Sequence, residues 1–178
     1  MSNDNTDDVI WRVPGPYEPP FESPIEDTLA WFLVKYLSLD VSLNKQYKVR
    51  TICGEFRVDF AAVAKIGRYR VGYECDGRNY HDEWRDEWRD AMILGDGLLD
   101  SIVRFRGSDI TFHVNDVLYV ASCWDPVMFP ERGTTNLCFL ASSEAKASAV
   151  IHDTYTAWIA YHSEAGVSRE PDPRSSNM

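Results

Sequence analysis

Tyr69-Arg-Val-Gly-Tyr-Glu-Cys-Asp-Gly-Arg-Asn-Tyr-His81 is the stretch whose reading decides the fold. Arg70 to Cys75 reads as a strand that gives way at Asp76-Gly77, a strong turn dipeptide. Two-residue spacing puts Glu74 and Asp76 on one face of that strand, about 6–7 Å apart. His81 follows at the mouth of a helical segment. Two carboxylates held this close repel each other unless a cation lies between them. The stretch therefore reads as a strand end carrying chemistry, with a helix behind it.

Working back from it, Asn44 to Ile52 and Glu55 to Val63 read as two strands joined at Cys53-Gly54. In the second, Phe56, Val58 and Phe60 alternate with Arg57, Asp59 and Ala61, which predicts an apolar face toward the core and Asp59 on the other face. With the strand after the Lys65-Ile-Gly67 turn, these make a meander. Ahead of the meander, Ser23-Pro24-Ile25-Glu26 is a helix start: serine as N-cap, proline at the first helical position and glutamate at the third, a capping box. Leu29, Ala30, Phe32, Leu33, Tyr36 and Leu37 then follow helical spacing.

Working forward, His81 to Leu94 reads as a helix with a tandem Asp82-Glu-Trp-Arg85, Asp86-Glu-Trp-Arg89 repeat. The four-residue period lays Trp84 over Trp88 and Arg85 over Arg89. In its plainest form this is an ion-paired helix with a tryptophan stripe against the sheet. Ser101 to Phe105 is a short strand after a helical crossover, so it is expected parallel to its neighbour. Arg104 within it needs a carboxylate partner such as Asp90 or an active-site acid, because a buried unpaired charge is costly. Val114 to Cys123 reads as a further helix, Asp125 to Thr135 as a loop, and Glu144 to Ser163 as a last helix. The order helix, three-strand meander, helix, strand, helix predicts an α/β sandwich around a central mixed sheet. It divides as a proline-rich arm over 1–21, a core over 22–124, a loop and helix packed on the core over 125–166, and a disordered tail over 167–178.

The chain has 178 residues, 44% hydrophobic and 13% aromatic, enough for one globular domain. No apolar run approaches the ~20 residues of a membrane span, and the acidic, polar first residues are unlike a signal peptide, so a cytoplasmic protein is expected. Cys53, Cys75, Cys123 and Cys138 are too widely spaced for a zinc motif and are expected reduced. A net charge of −10 argues against non-specific coating of nucleic acid. Residues 55–110 hold nine of the 18 lysines and arginines but also 12 acids, a mixed rather than basic segment.

Glu26, the Phe56-Arg-Val-Asp59-Phe60 strand, Tyr73-Glu74-Cys-Asp76-Gly77, His81, Arg85, Arg89 and Arg104 together resemble the PD-(D/E)XK nuclease superfamily, over roughly residues 22–110. The likeness is greatest to small endonuclease-like domains related to very-short-patch repair endonucleases. It implies a restriction-endonuclease-like fold, DNA as partner and phosphodiester hydrolysis. It implies Mg²⁺ or Mn²⁺ held by Asp59, Glu74 and the backbone carbonyl of Cys75, with Glu26 assisting. It also allows a homodimer, since many restriction-type nucleases pair to cut both strands. The chain departs from the name motif at Asp76, where a lysine is usual. His81 is then the remaining candidate to activate water or to donate to the phosphate.

The chemistry agrees with this likeness on general grounds. A hard divalent ion on oxygen ligands can activate water, neutralise phosphate and stabilise the leaving alkoxide. Arg85 and Arg89, one turn apart, are candidates for a bidentate phosphate clamp, with Arg104 as a further phosphate or DNA contact. Two other functions bear on the same residues. A catalytically inactive protein of the same fold would bind nucleic acid or a partner protein, in a defence or mobile-element system. A two-carboxylate glycoside hydrolase is disfavoured, because Glu74 and Asp76 are too crowded to flank a glycosidic bond.

Overall fold

A computed structural model describes residues 21–77, 83–149, 156–162 and 166–171. Helix α1 (Pro24–Tyr36) begins as the sequence predicts. Ser23 caps it by accepting from the Glu26 amide, and Pro24 occupies the first turn. The Glu26 carboxylate takes the Ser23 hydroxyl at 2.8 Å. Leu29, Ala30, Leu33, Tyr36 and Leu37 are buried, so the helical period is the period of burial.

Strands β1 (Val41–Thr51), β2 (Gly54–Ala64) and β3 (Arg70–Asp76) form the expected antiparallel meander. Gly54, at φ 136°, makes the first turn, where a side chain would be strained. Helix α2 (Glu83–Gly95) crosses over to β4 (Ser101–Arg106), which pairs with β3 in parallel as expected. Helices α3 (Gly107–Trp124), α4 (Glu131–Leu140) and α5 (Ser143–Ser148) follow, then strands β5 (Thr156–His162) and β6 (Gly166–Pro171). The sheet order is β1-β2-β3-β4-β5-β6; β5 is parallel to β4 and β6 antiparallel to β5, so the sheet is open and mixed.

Alternation along the strands fills two cores, one on each face of the sheet. Phe60, Ala62, Ala64, Val71, Tyr73, Val103 and Phe105 join α1, α3 and α4 on one face. Val58, Ala61 and Ile102 join Ile93, Leu94 and Leu99, from α2 and the segment after it, on the other. Helices thus cover both faces of the sheet, an α/β sandwich.

Four readings of the sequence are corrected. Phe56 and Val58 do not share a face with Phe60: they pack in the α2-side core, and Phe60 in the α1-side core. The alternation breaks at Asp59, which a strict two-residue period does not foresee. The helix read from Val114 begins at Gly107. Its backbone is kinked at His113 (φ −136°, ψ 30°), so the sequence resolves only the part beyond the kink. The loop read over Asp125 to Thr135 ends early, because Pro130 caps α4. The long helix over Glu144 to Ser163, with a tail beyond it, is replaced by the short α5 and the pair β5–β6. Thr156-Ala-Trp-Ile-Ala-Tyr-His162 is rich in β-branched and aromatic residues, and the open edge of β4 takes it as a strand. Residues 1–20 and 172–178 lie outside the described residues.

Gly133, in α4, locks two helices together. A Cβ there would lie 2.9 Å from the backbone oxygen of Tyr36, at the end of α1. Backbone yields less than a side chain tip, so Gly133→Ala is expected to lower stability by about 1–3 kcal/mol despite the better helix propensity of alanine. Urea unfolding checks this; an unchanged or higher midpoint would show that α1 and α4 part without cost.

Candidate functional site

The β2–β3 ladder runs from Val63↔Arg70 to Phe60↔Tyr73. Asp59 and Glu74 are the next residues, where the strands fork. Asp59 Oδ2 bridges the fork by accepting from the backbone N–H of Cys75 at 2.8 Å. Glu74 is 6% exposed. Burial pushes its carboxyl up to about 8, the charge of Asp59 adds to the rise, and Arg89 and Arg104 oppose it. Burial also raises Asp59, offset by the Cys75 N–H and by Arg89. Each carboxylate thus disfavours the charge on the other, as like charges brought close must.

Helix α2 brings the cations. Arg89 Nη2 lies 3.0 Å from Glu74 Oε1. The approach is off the hydrogen-bonding line, and this buried oxygen has no hydrogen-bond partner. Arg89 Nε also reaches Asp90 Oδ1 at 3.4 Å. Arg104 is held far more firmly. Its Nε and Nη2 grip Asp90 at 2.7 and 3.0 Å, and Nη1 donates to Asp76 at 2.8 Å. The partner that the sequence demanded for Arg104 is therefore both of those it suggested. At 5% exposure Arg104 is buried among carboxylates rather than turned outward to a phosphate. Asp76 is directed to Arg104, on the strand position after the fork, and not into the Asp59–Glu74 pair.

From the other side comes Glu26. Burial raises its pKa, the Ser23 hydrogen bond opposes this, and the charge of Asp59 adds to the rise. Its Oε2 accepts from Gln46 Nε2 at 2.9 Å. Gln46 is a site residue that sequence reading misses. The β1–β2 register flanks it by Lys45↔Phe60 and Tyr47↔Val58, placing it across from Asp59. Its backbone is left-handed, at φ 47°, a strained choice for glutamine, and its Oε1 is buried without a hydrogen-bond partner. Nothing in Asn44-Lys-Gln-Tyr47 marks it out; only tertiary pairing does.

His81 lies outside the described residues, as does the side chain of Arg85. Trp88 packs edge-on against Phe56, with ring centroids 5.9 Å apart. All four cysteines are free thiols, and burial pushes the Cys75 thiol well above its ordinary value, which disfavours its thiolate. Among the described residues no group of three or more His, Cys, Asp or Glu is placed to hold a metal ion. A closed protein cage is thus absent there. The oxygen set present is the Asp59–Glu74 pair, with the unpartnered Glu74 Oε1 and, across β1, Gln46 Oε1. That fits a hard cation that keeps most of its waters and uses one or two carboxylates. Among the described residues no helix is long and apolar enough to cross a membrane.

No protein-family model, no curated protein and no solved structure matches the chain.

Proposed function

We propose that this chain is a Mg²⁺- or Mn²⁺-dependent endonuclease that hydrolyses DNA phosphodiester bonds, of the PD-(D/E)XK kind its sequence resembles. The half-buried Asp59 and the buried Glu74 at the β2–β3 fork, bordered by Arg89, carry the reading. Asp59, Glu74 and the carbonyl of Cys75 would hold the ion. A bound divalent ion supplies Lewis acidity and a water of lowered pKa. The chain's own groups do the rest. Asp59 is oriented by the Cys75 amide. Glu26, anchored by Ser23 and Gln46, faces Asp59 as a carboxylate able to orient a water. Arg89, 3.0 Å from Glu74 Oε1, suits a phosphate oxygen.

Plasmid cleavage in Mn²⁺ tests this. Asp59→Ala and Glu74→Ala are each expected to lose more activity than the ~100-fold typical of an outer-shell change at a metal site. Equal cleavage by wild type and both variants would sink the proposal.

A second reading has one observation in its favour. Asp76 stands where the superfamily usually carries a lysine, and it is engaged by Arg104. A catalytically inactive protein of this fold, binding nucleic acid or a partner protein, would look the same. Such a protein would bind DNA without cleaving it in either Mg²⁺ or Mn²⁺, and Asp59→Ala would leave that binding unchanged.

A further inference from the structure

Arg89 and Arg104, among the described residues of the site, are held in different ways. Arg104 makes three short hydrogen bonds, two of them to one carboxylate, and its side chain is 6% exposed. Arg89 is 21% exposed and lies near three carboxylates, Glu74 at 3.0 Å, Asp90 at 3.4 Å and Asp86 at 3.9 Å. Of these, only the long Asp90 contact is aligned as a hydrogen bond. A guanidinium has five N–H donors in a rigid fork, so Arg89 keeps most of its donor capacity in reserve. Its partner is equally unsatisfied: Glu74 Oε1 is buried and lacks an aligned donor. Ionic attraction without hydrogen-bond geometry is a weak clamp, and both groups gain from a better-matched ligand.

Charge points the same way. Among the described residues, Glu74, Asp76, Asp86 and Asp90 lie within 4 Å of Arg89 or Arg104. Arg104 is committed to Asp90 and Asp76. Arg89 is thus a cation set against Glu74, and it occupies a side of Glu74 from which another cation would be repelled.

We propose that Arg89 is an exchangeable partner of Glu74: it lies against Glu74 in the resting site and turns to a nucleic-acid phosphate once Glu74 is engaged by a divalent cation. The inference rests on the nuclease reading and adds to it a coupling between ion and substrate. Ion binding frees a guanidinium for phosphate, and phosphate binding withdraws a competing charge from the ion. Such coupling is reciprocal by thermodynamic necessity. Asp90 keeps Arg89 within reach through both arrangements, since it contacts Nε rather than the terminal nitrogens.

The test is calorimetry of Mn²⁺ binding to wild type, Arg89→Ala and the closer-shaped Arg89→Gln, each checked for folding by circular dichroism. Anisotropy of a labelled DNA duplex, with and without Ca²⁺, accompanies it. Removing the competing charge is expected to tighten Mn²⁺ binding about tenfold in the neutral variants. The same variants are expected to lose the part of duplex affinity that Ca²⁺ adds in wild type. Equal or weaker Mn²⁺ binding by variants that bind the ion overturns the exchange and leaves the nuclease reading standing. No binding of Mn²⁺ by folded wild type or by either variant overturns both.

Discussion

Arg104→Met is expected to cost about 3–5 kcal/mol of folding stability, enough to unfold much of a domain of ordinary stability. Methionine fills the guanidinium's space approximately, so the loss is electrostatic. Asp90, 6% exposed, would keep a buried carboxylate after losing both of its short bonds from Arg104, and Asp76 would lose its 2.8 Å donor. Breaking one side of such a pair is costly because the other charge stays buried. Removing both sides is expected to recover much of the loss, so Arg104→Met with Asp90→Leu should be more stable than Arg104→Met alone. Urea unfolding of the two singles and the double measures the coupling directly. If Arg104 were instead a loosely held DNA contact, Arg104→Met would unfold within about 0.5 kcal/mol of wild type, as surface changes do.

That contrast shows how far the sequence reaches. A charge inside the apolar Ser101-Ile-Val-Arg-Phe105 run demanded a partner on energetic grounds alone, and Asp90 was within the same logic. Which arginine meets substrate was a different question, because it depends on exposure, and exposure depends on how α2 lies over β3 and β4. The meander, both of its neighbouring helices and the parallel β4 were legible, since each rests on local caps, turns and periods. Beyond residue 124 the local signals misled. Glu144 to Ser163 carries no breaker and suits a helix over its first residues. The demand that turns its second half into a strand comes from the edge of β4, far away in sequence.

The site was legible in its acids and not in its geometry. Asp59 and Glu74 could be placed on neighbouring strands from a strand count, whereas Glu26 joined them only through the family resemblance, its own signal being that of a cap. The fork between β2 and β3 could not, because the alternation of Phe56, Val58 and Phe60 is regular in sequence and broken in space at Asp59. Gln46 was invisible for the same reason. Its strained backbone and its bond to Glu26 exist only once β1, β2 and α1 are assembled.

Glu74→Gln is expected to stabilise the protein without a divalent ion, by an amount that grows with pH. In the unfolded chain Glu74 titrates near its ordinary value of 4.5, and in the folded chain near 8, chiefly because it is buried. Between those pH values the native state keeps a proton that the unfolded state has released. Folding stability therefore falls as pH rises from about 4.5, and the loss is complete once pH passes 8. At pH 4 the variant and wild type should unfold alike. Above pH 8 the glutamine, which mimics the protonated acid, should be more stable by on the order of 3–5 kcal/mol, at ~1.4 kcal/mol per pKa unit. Thermal melts at pH 4, 6.5 and 8.5 in EDTA would show the gap opening; a constant gap would mean that Glu74 titrates normally. Excess Mn²⁺ should then close the gap, because an ion that binds only the folded wild type adds ~2.7 kcal/mol at a hundred times its Kd and ~4.1 kcal/mol at a thousand times. A destabilised carboxylate that becomes stabilising when a cation arrives is the thermodynamic mark of a functional site, and a merely structural buried acid would show the first effect without the second.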